Sequence, residues 1–161
     1  MRAVYVAHAL SAPTAEGMRQ NRLKASTWCA WIASTFRVAT VADWIILSSH
    51  LPETPENREF GLECDKALIE RCDELWMVGP QVSGGMQIEA GHAHDKFRPV
   101  YDLVGLSMDR LLVEAALAEQ GRCMACGASR VVCGRRAAGL RSHGTRLSQC
   151  CPDCTHGRRD G

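Results

Sequence analysis

Two rhythms of apolar residues alternate along the first 120 positions. Short, largely apolar runs at residues 3–7, 38–41, 74–78 and 99–104 read as buried strands. Between them the apolar positions recur at helical spacing. Residues 15–36 carry Ala25, Trp28, Cys29, Ile32 and Phe36 three and four apart, which is one helix face. A second helix is expected over residues 55–72, with Pro55 near its start and Phe60, Cys64, Ala67, Leu68 and Cys72 on its apolar face. A third is expected over residues 87–96. A last helix, capped by Ser107, is expected to run to about Glu119 with Met108, Leu111, Leu112 and Ala115 inward. Residues 44–47 fit either a strand or a helix. Residues 8–17, 52–55 and 79–85 carry Pro, Gly, Ser and Thr and read as loops. The alternation predicts an α/β fold of Rossmann or flavodoxin-like type, a mainly parallel sheet flanked by helices. Ligands of such sheets sit at the carboxyl ends of the strands, where residues 8–17 and 79–89 would meet.

Charge divides the 161 residues in two. Residues 1–120 hold 11 Lys and Arg against 16 Asp and Glu, a net of −5; residues 121–161 hold 8 Arg against 2 Asp, a net of +6. All nine aromatic residues lie in the first part, and six of the nine cysteines in the second. We therefore expect an α/β domain over residues 1–120 and a separate basic module over 121–161. No apolar run is long enough for a transmembrane helix, and the opening residues lack the features of a signal peptide, so a cytoplasmic protein is expected.

In the second part Cys123 and Cys126 form one C-x-x-C pair, and Cys151 and Cys154 form another 24 residues later. Two such knuckles supply four thiolates in a tetrahedron, the pattern of a structural zinc ribbon. Cys150 offers a substitute ligand for Cys151, and Cys133 and His143 are spares. The tail has no aromatic residues for a core, so the metal would supply its folding free energy. Its arginines (Arg122, Arg130, Arg135, Arg136, Arg141, Arg146, Arg158 and Arg159) suit either nucleic-acid phosphates or an acidic protein surface. Cys29, Cys64 and Cys72 read as small core residues.

The chemistry-bearing stretch of the first part is the strand at 74–78, a glycine turn, and Ser83-Gly84-Gly85-Met86 leading to Glu89-Ala90-Gly91-His92-Ala93. The turn and the following helix start suit an anion, and Glu89 is expected in the helix's first turn. This stretch resembles the nucleoside 2-deoxyribosyltransferase superfamily, in which the glutamate of E-x-G-x-A attacks the anomeric carbon. Val4-Tyr5-Val6-Ala7, Asn21 with Ala25, and Arg71 to Trp76 match it as well. The likeness covers roughly residues 2–105. It is nearest to an uncharacterised, often phage-borne DUF4406-like branch sharing a pattern like Arg58-Glu59-Phe60-Gly61-Leu62.

The resemblance implies that Glu89 is the nucleophile in cleavage or transfer of an N-glycosidic bond, with Asp73 as a second catalytic carboxyl. It places Tyr5, Asn21, Ser83 and Met86 around a deoxynucleoside or its 5'-monophosphate; His8, just after the first strand, and the turn glycines Gly84 and Gly85 are expected there from their places in the fold. Many transferases carry Asp six residues before the nucleophile; related monophosphate N-hydrolases carry Ser there, contacting phosphate, and this chain has Ser83. It implies a homo-oligomer and no catalytic cofactor, zinc being structural. The asparagine segment that transferases lend to a neighbouring subunit has no counterpart. His92 and His94 read as packing or solvent-facing residues, and His50 is a weak further candidate for the site. Two other readings are carried beside the enzyme: a nucleotide sensor without turnover, and a zinc-ribbon nucleic-acid binder.

Overall fold

The computed structural model describes residues 1–120; the expected zinc ligands Cys123, Cys126, Cys151 and Cys154 and the tail arginines lie outside the described residues. Four strands, β1 (Ala3–Ala7), β2 (Ala39–Val41), β3 (Glu74–Met77) and β4 (Val100–Asp102), form one sheet in the order β2-β1-β3-β4, with every pairing parallel. The helices are α1 (Ala15–Phe36), α2 (Trp44–His50), α3 (Pro55–Ile69), α4 (Gly84–Asp95) and α5 (Arg110–Gln120). The expected α/β parallel sheet is present, and residues 44–47 resolve as helix. Among the described residues no helix is long and apolar enough to cross a membrane.

The central strands β1 and β3 are buried and largely apolar because both faces of the sheet are covered. Alternate residues go to opposite sides. Tyr5, Ala7, Leu75 and Met77 pack with Ile69 of α3 and Met86 and Ala93 of α4. On the other side Trp76 meets Phe36 at 5.3 Å between ring centroids, and an edge-to-face series continues through Trp31 to Trp28 and through Tyr101. Such pairs add to the area they bury. α1 buries Ala25, Trp28 and Ile32, as its periodicity predicts, and Thr14 caps it by accepting from the Gly17 amide at 3.0 Å.

Three expected elements are placed differently. On α3 the inward face is Asp65 and Ile69; Phe60 and Ala67 are exposed, and the helix ends before Cys72, which is buried in the following turn. The apolar count misjudged this face because its central buried residue is a carboxylate. α4 opens at Gly84, three residues early, because Ser83 supplies the cap: its hydroxyl accepts from the Met86 amide at 3.4 Å. α5 is capped by Asp109, whose carboxylate accepts from the Leu111 and Leu112 amides, and not by Ser107. Its inward residue is Val113, while Leu111, Leu112 and Ala115 are exposed and Met108 lies at the surface.

The chain reverses its direction of travel across the sheet between β1 and β3, the position where open parallel sheets place ligands. Here Gly79, just beyond β3, has φ +107, and a Cβ on it would lie 2.7 Å from the His8 ring beyond β1. Both the dihedral and the contact require glycine. Gly79→Ala is expected to destabilise the fold by about 2–4 kcal/mol, from backbone strain plus overpacking, read by urea denaturation. A loss below about 0.5 kcal/mol, the range of unremarkable surface changes, would contradict the packing described.

Candidate active site

At the carboxyl ends of β1 and β3 a cleft opens between the β1–α1 loop, α2, α3 and the start of α4. It encloses about 100 Å³. One water needs ~10–15 Å³, so the space suits a small organic molecule. Its walls divide by chemistry. Leu10, Trp44, Leu47, Leu51 and Leu62 make an apolar side, and Trp44 is fixed by its indole N–H donating to the Val6 carbonyl at 3.3 Å. Ser11, Asn57, Arg58 and Ser83 are among its polar groups. Glu89 and Asp65, both buried, also line it.

Glu89 is the sixth residue of α4, so it lies beyond the first turn where it was expected. The helix dipole therefore does not account for it. Its side chain turns to the sheet, where Tyr5 Oη donates to Glu89 Oε1 at 3.0 Å. Burial raises the Glu89 carboxyl to about 8; the neighbouring Asp65 charge raises it too, and the Tyr5 hydrogen bond opposes both. Asp65 is raised to about 6, chiefly by burial, and also interacts with the Tyr5 hydroxyl. The phenol itself is pushed far up by burial and by the two carboxyls, so Tyr5 stays protonated as a donor. The two carboxyls titrate as a coupled pair holding one proton around neutral pH.

His8 is buried at the foot of the cleft. Its Nδ1 lies 2.8 Å from the Ala9 carbonyl, which can only accept, so Nδ1 carries the proton. Burial lowers its pKa and keeps the ring neutral, leaving Nε2 as an acceptor. Neither His8 Nε2 nor Asp65 Oδ1 has a hydrogen-bond partner among the described residues. Unpaired buried acceptors are costly, and both of these residues line the cleft.

The other expected site residues divide. Ser83, Gly85 and Met86 line the cleft; Gly84 does not. Neither Gly85 nor Gly61 has a positive φ or a crowded Cβ position, so their missing side chains serve the open space they face. Asn21 donates to the Leu10 and Ser11 carbonyls at 3.0 and 3.4 Å; it shapes the loop bearing the cleft rather than facing a ligand. Asp73 is corrected outright. It precedes β3, and its carboxylate accepts from the Ala3 amide at 2.7 Å, at the amino ends of the strands. Glu89 stands at their opposite ends. Asp73→Ala should cost ~0.5–1.5 kcal/mol of stability for the lost hydrogen bond and leave turnover unchanged, compared by denaturation and steady-state assay. A large fall in turnover with the fold intact would return Asp73 to the site. His92 bonds Glu70 at 3.1 Å and His94 is exposed, as expected; His50 is exposed and does not line the cleft.

Asp65 is the buried cleft residue that the sequence reading missed. Arg58, Gly61, Leu62, Asp65 and Ile69 follow one another at helical spacing, and the first four line the cleft while Glu59 and Phe60 face out. That spacing, continued beyond the Arg58 to Leu62 pattern, was the available signal.

Fold and site together define an α/β protein with a parallel sheet, whose switch-point cleft is built on two buried carboxyls, one of them bonded by a buried tyrosine. The chain belongs to the family described as a domain of unknown function, DUF7768, whose family model matches residues 2–102. No curated protein matches it.

Proposed function

We propose that the protein cleaves or transfers the N-glycosidic bond of a 2'-deoxynucleoside or its 5'-monophosphate. The observation that carries this reading is the Tyr5-bonded Glu89 carboxyl beside Asp65 in a ligand-sized cleft. The superfamily resemblance around Glu89 supplies the reaction class; a fold alone would not.

The chemistry needs a carboxylate at the anomeric carbon and an acid at the departing base. Glu89 is the nucleophile: its oxygen bonds to C1', and the electron pair of the C1'–N bond passes to the base nitrogen. In the free protein the shared proton rests on Glu89, the more strongly raised carboxyl; the reactive form is the one in which it has passed to Asp65, which gives it to the departing base. Water or a second base then attacks C1', giving its proton to Asp65 and freeing Glu89. Tyr5, by donating to Glu89, favours the ionised form that burial opposes. The apolar wall with Trp44 holds the base. Zinc on Cys123, Cys126, Cys151 and Cys154 would be structural and take no part.

The test is chromatography of base released from deoxynucleosides and their monophosphates, each with and without an acceptor base. Release without acceptor defines a hydrolase, and release only with acceptor a transferase. Tight nucleotide binding with no release under either condition contradicts the proposal in favour of a sensor.

A further inference from the structure

The cleft's mouth carries a cation that the proposed chemistry does not use. Arg58 is the only Lys or Arg among the described residues lining the cleft. Its Nη1 donates to Glu53 Oε1 at 2.7 Å and its Nη2 to Ser11 Oγ at 3.1 Å. The side chains of Arg58 and Glu53 are 49% and 44% exposed. An ion pair that open is weak, so exchanging Glu53 for a better anion costs little.

We propose that Arg58 is the phosphate-selecting residue of this cleft, releasing Glu53 to pair with the 5'-phosphate of a deoxynucleoside monophosphate. The inference rests on the proposed reaction for the rest of the substrate. Arg58 and Asp65 lie on one face of α3 seven residues apart, a rise of ~10 Å at 1.5 Å per residue. A pentose 5-phosphate is shorter than that rise, and the long Arg58 side chain would close the gap, with the phosphate at its guanidinium and the anomeric end near the buried carboxyls. A guanidinium offers phosphate two parallel donors. The hydroxyl of Ser83, which lines the same cleft, is engaged as an acceptor from Met86 and keeps its proton to donate to an anion.

Two variants separate this role from a mere tether across the mouth, because both break the same ion pair. Calorimetry on the whole chain with 2-deoxyribose 5-phosphate and with 2-deoxyribose reads the phosphate contribution without needing turnover. Arg58→Met should weaken binding of the phosphate by about tenfold or more, the loss of a charged hydrogen-bonding partner. Glu53→Gln should tighten it about threefold, because a competing anion is removed. Weakening by both variants indicates a tether and overturns the proposal, as does equal affinity of the unaltered chain for the two sugars or no binding of the phosphate. Phosphate-linked affinity without base release would leave Arg58's role standing and remove the reaction; base release without it would do the reverse.

Discussion

Glu89→Gln is expected to lower base release by a factor on the order of 10³ or more and, at the same time, to stabilise the fold in alkali. The amide keeps the shape and accepts the Tyr5 hydrogen bond, but it cannot form the ester to C1'. The stability effect follows from the raised pKa. The folded carboxyl titrates at about 8, far above its unfolded value of about 4.3. The folded chain therefore keeps a proton that the unfolded chain releases. That contribution is full below about pH 4 and is lost progressively as pH rises to about 8. At higher pH the unaltered protein holds a buried anion, and the glutamine variant does not. The difference at about pH 9 should be on the order of a few kcal/mol, a rise in melting temperature of ~5 °C or more, and should shrink at about pH 5. A variant that loses activity and also melts lower in alkali would mean that Glu89 is a structural anion.

Asp65→Asn has the second largest expected effect, a fall in turnover of ~10²–10⁴, the usual worth of a positioned acid. Its signature is the pH profile. Under the proposed reaction the unaltered protein needs one proton on the pair. Below about 6 both carboxyls are protonated and the nucleophile is lost; above about 8 both are ionised and the acid is lost. Turnover should therefore be bell-shaped with its maximum near about pH 7. In the asparagine variant only Glu89 of the pair titrates, and it titrates lower because the Asp65 charge is gone. Residual activity should rise with pH to a plateau, with no alkaline fall. A bell that survives in this variant would place the acid elsewhere.

The sheet was legible because its strands are short apolar runs separated by helices of the right period. Tyr5 and Glu89 were legible from the strand–turn–helix context and the superfamily resemblance. Where reading failed, charge hid burial. Asp65 stands among Glu63, Lys66 and Glu70 and looks like a solvated face; only the helical phase shared with Gly61, Leu62 and Ile69 turns it inward. Asp73 carries the same side chain eight residues later but sits before its strand, where a carboxylate finds a backbone amide. The start of α4 was misplaced because Gly84 and Gly85 are poor helix formers, and the Ser83 cap decides the boundary. Leu111 and Leu112 mark no core face, because apolar character does not oblige a residue to be inside.

The most direct measurement is base release near neutral pH by the unaltered protein and by Glu89→Gln, side by side, on deoxynucleosides and their monophosphates with and without acceptor base. The account predicts release by the unaltered protein on at least one of these substrates and none above background by the variant. No release by the unaltered protein, or equal release by both, would contradict it.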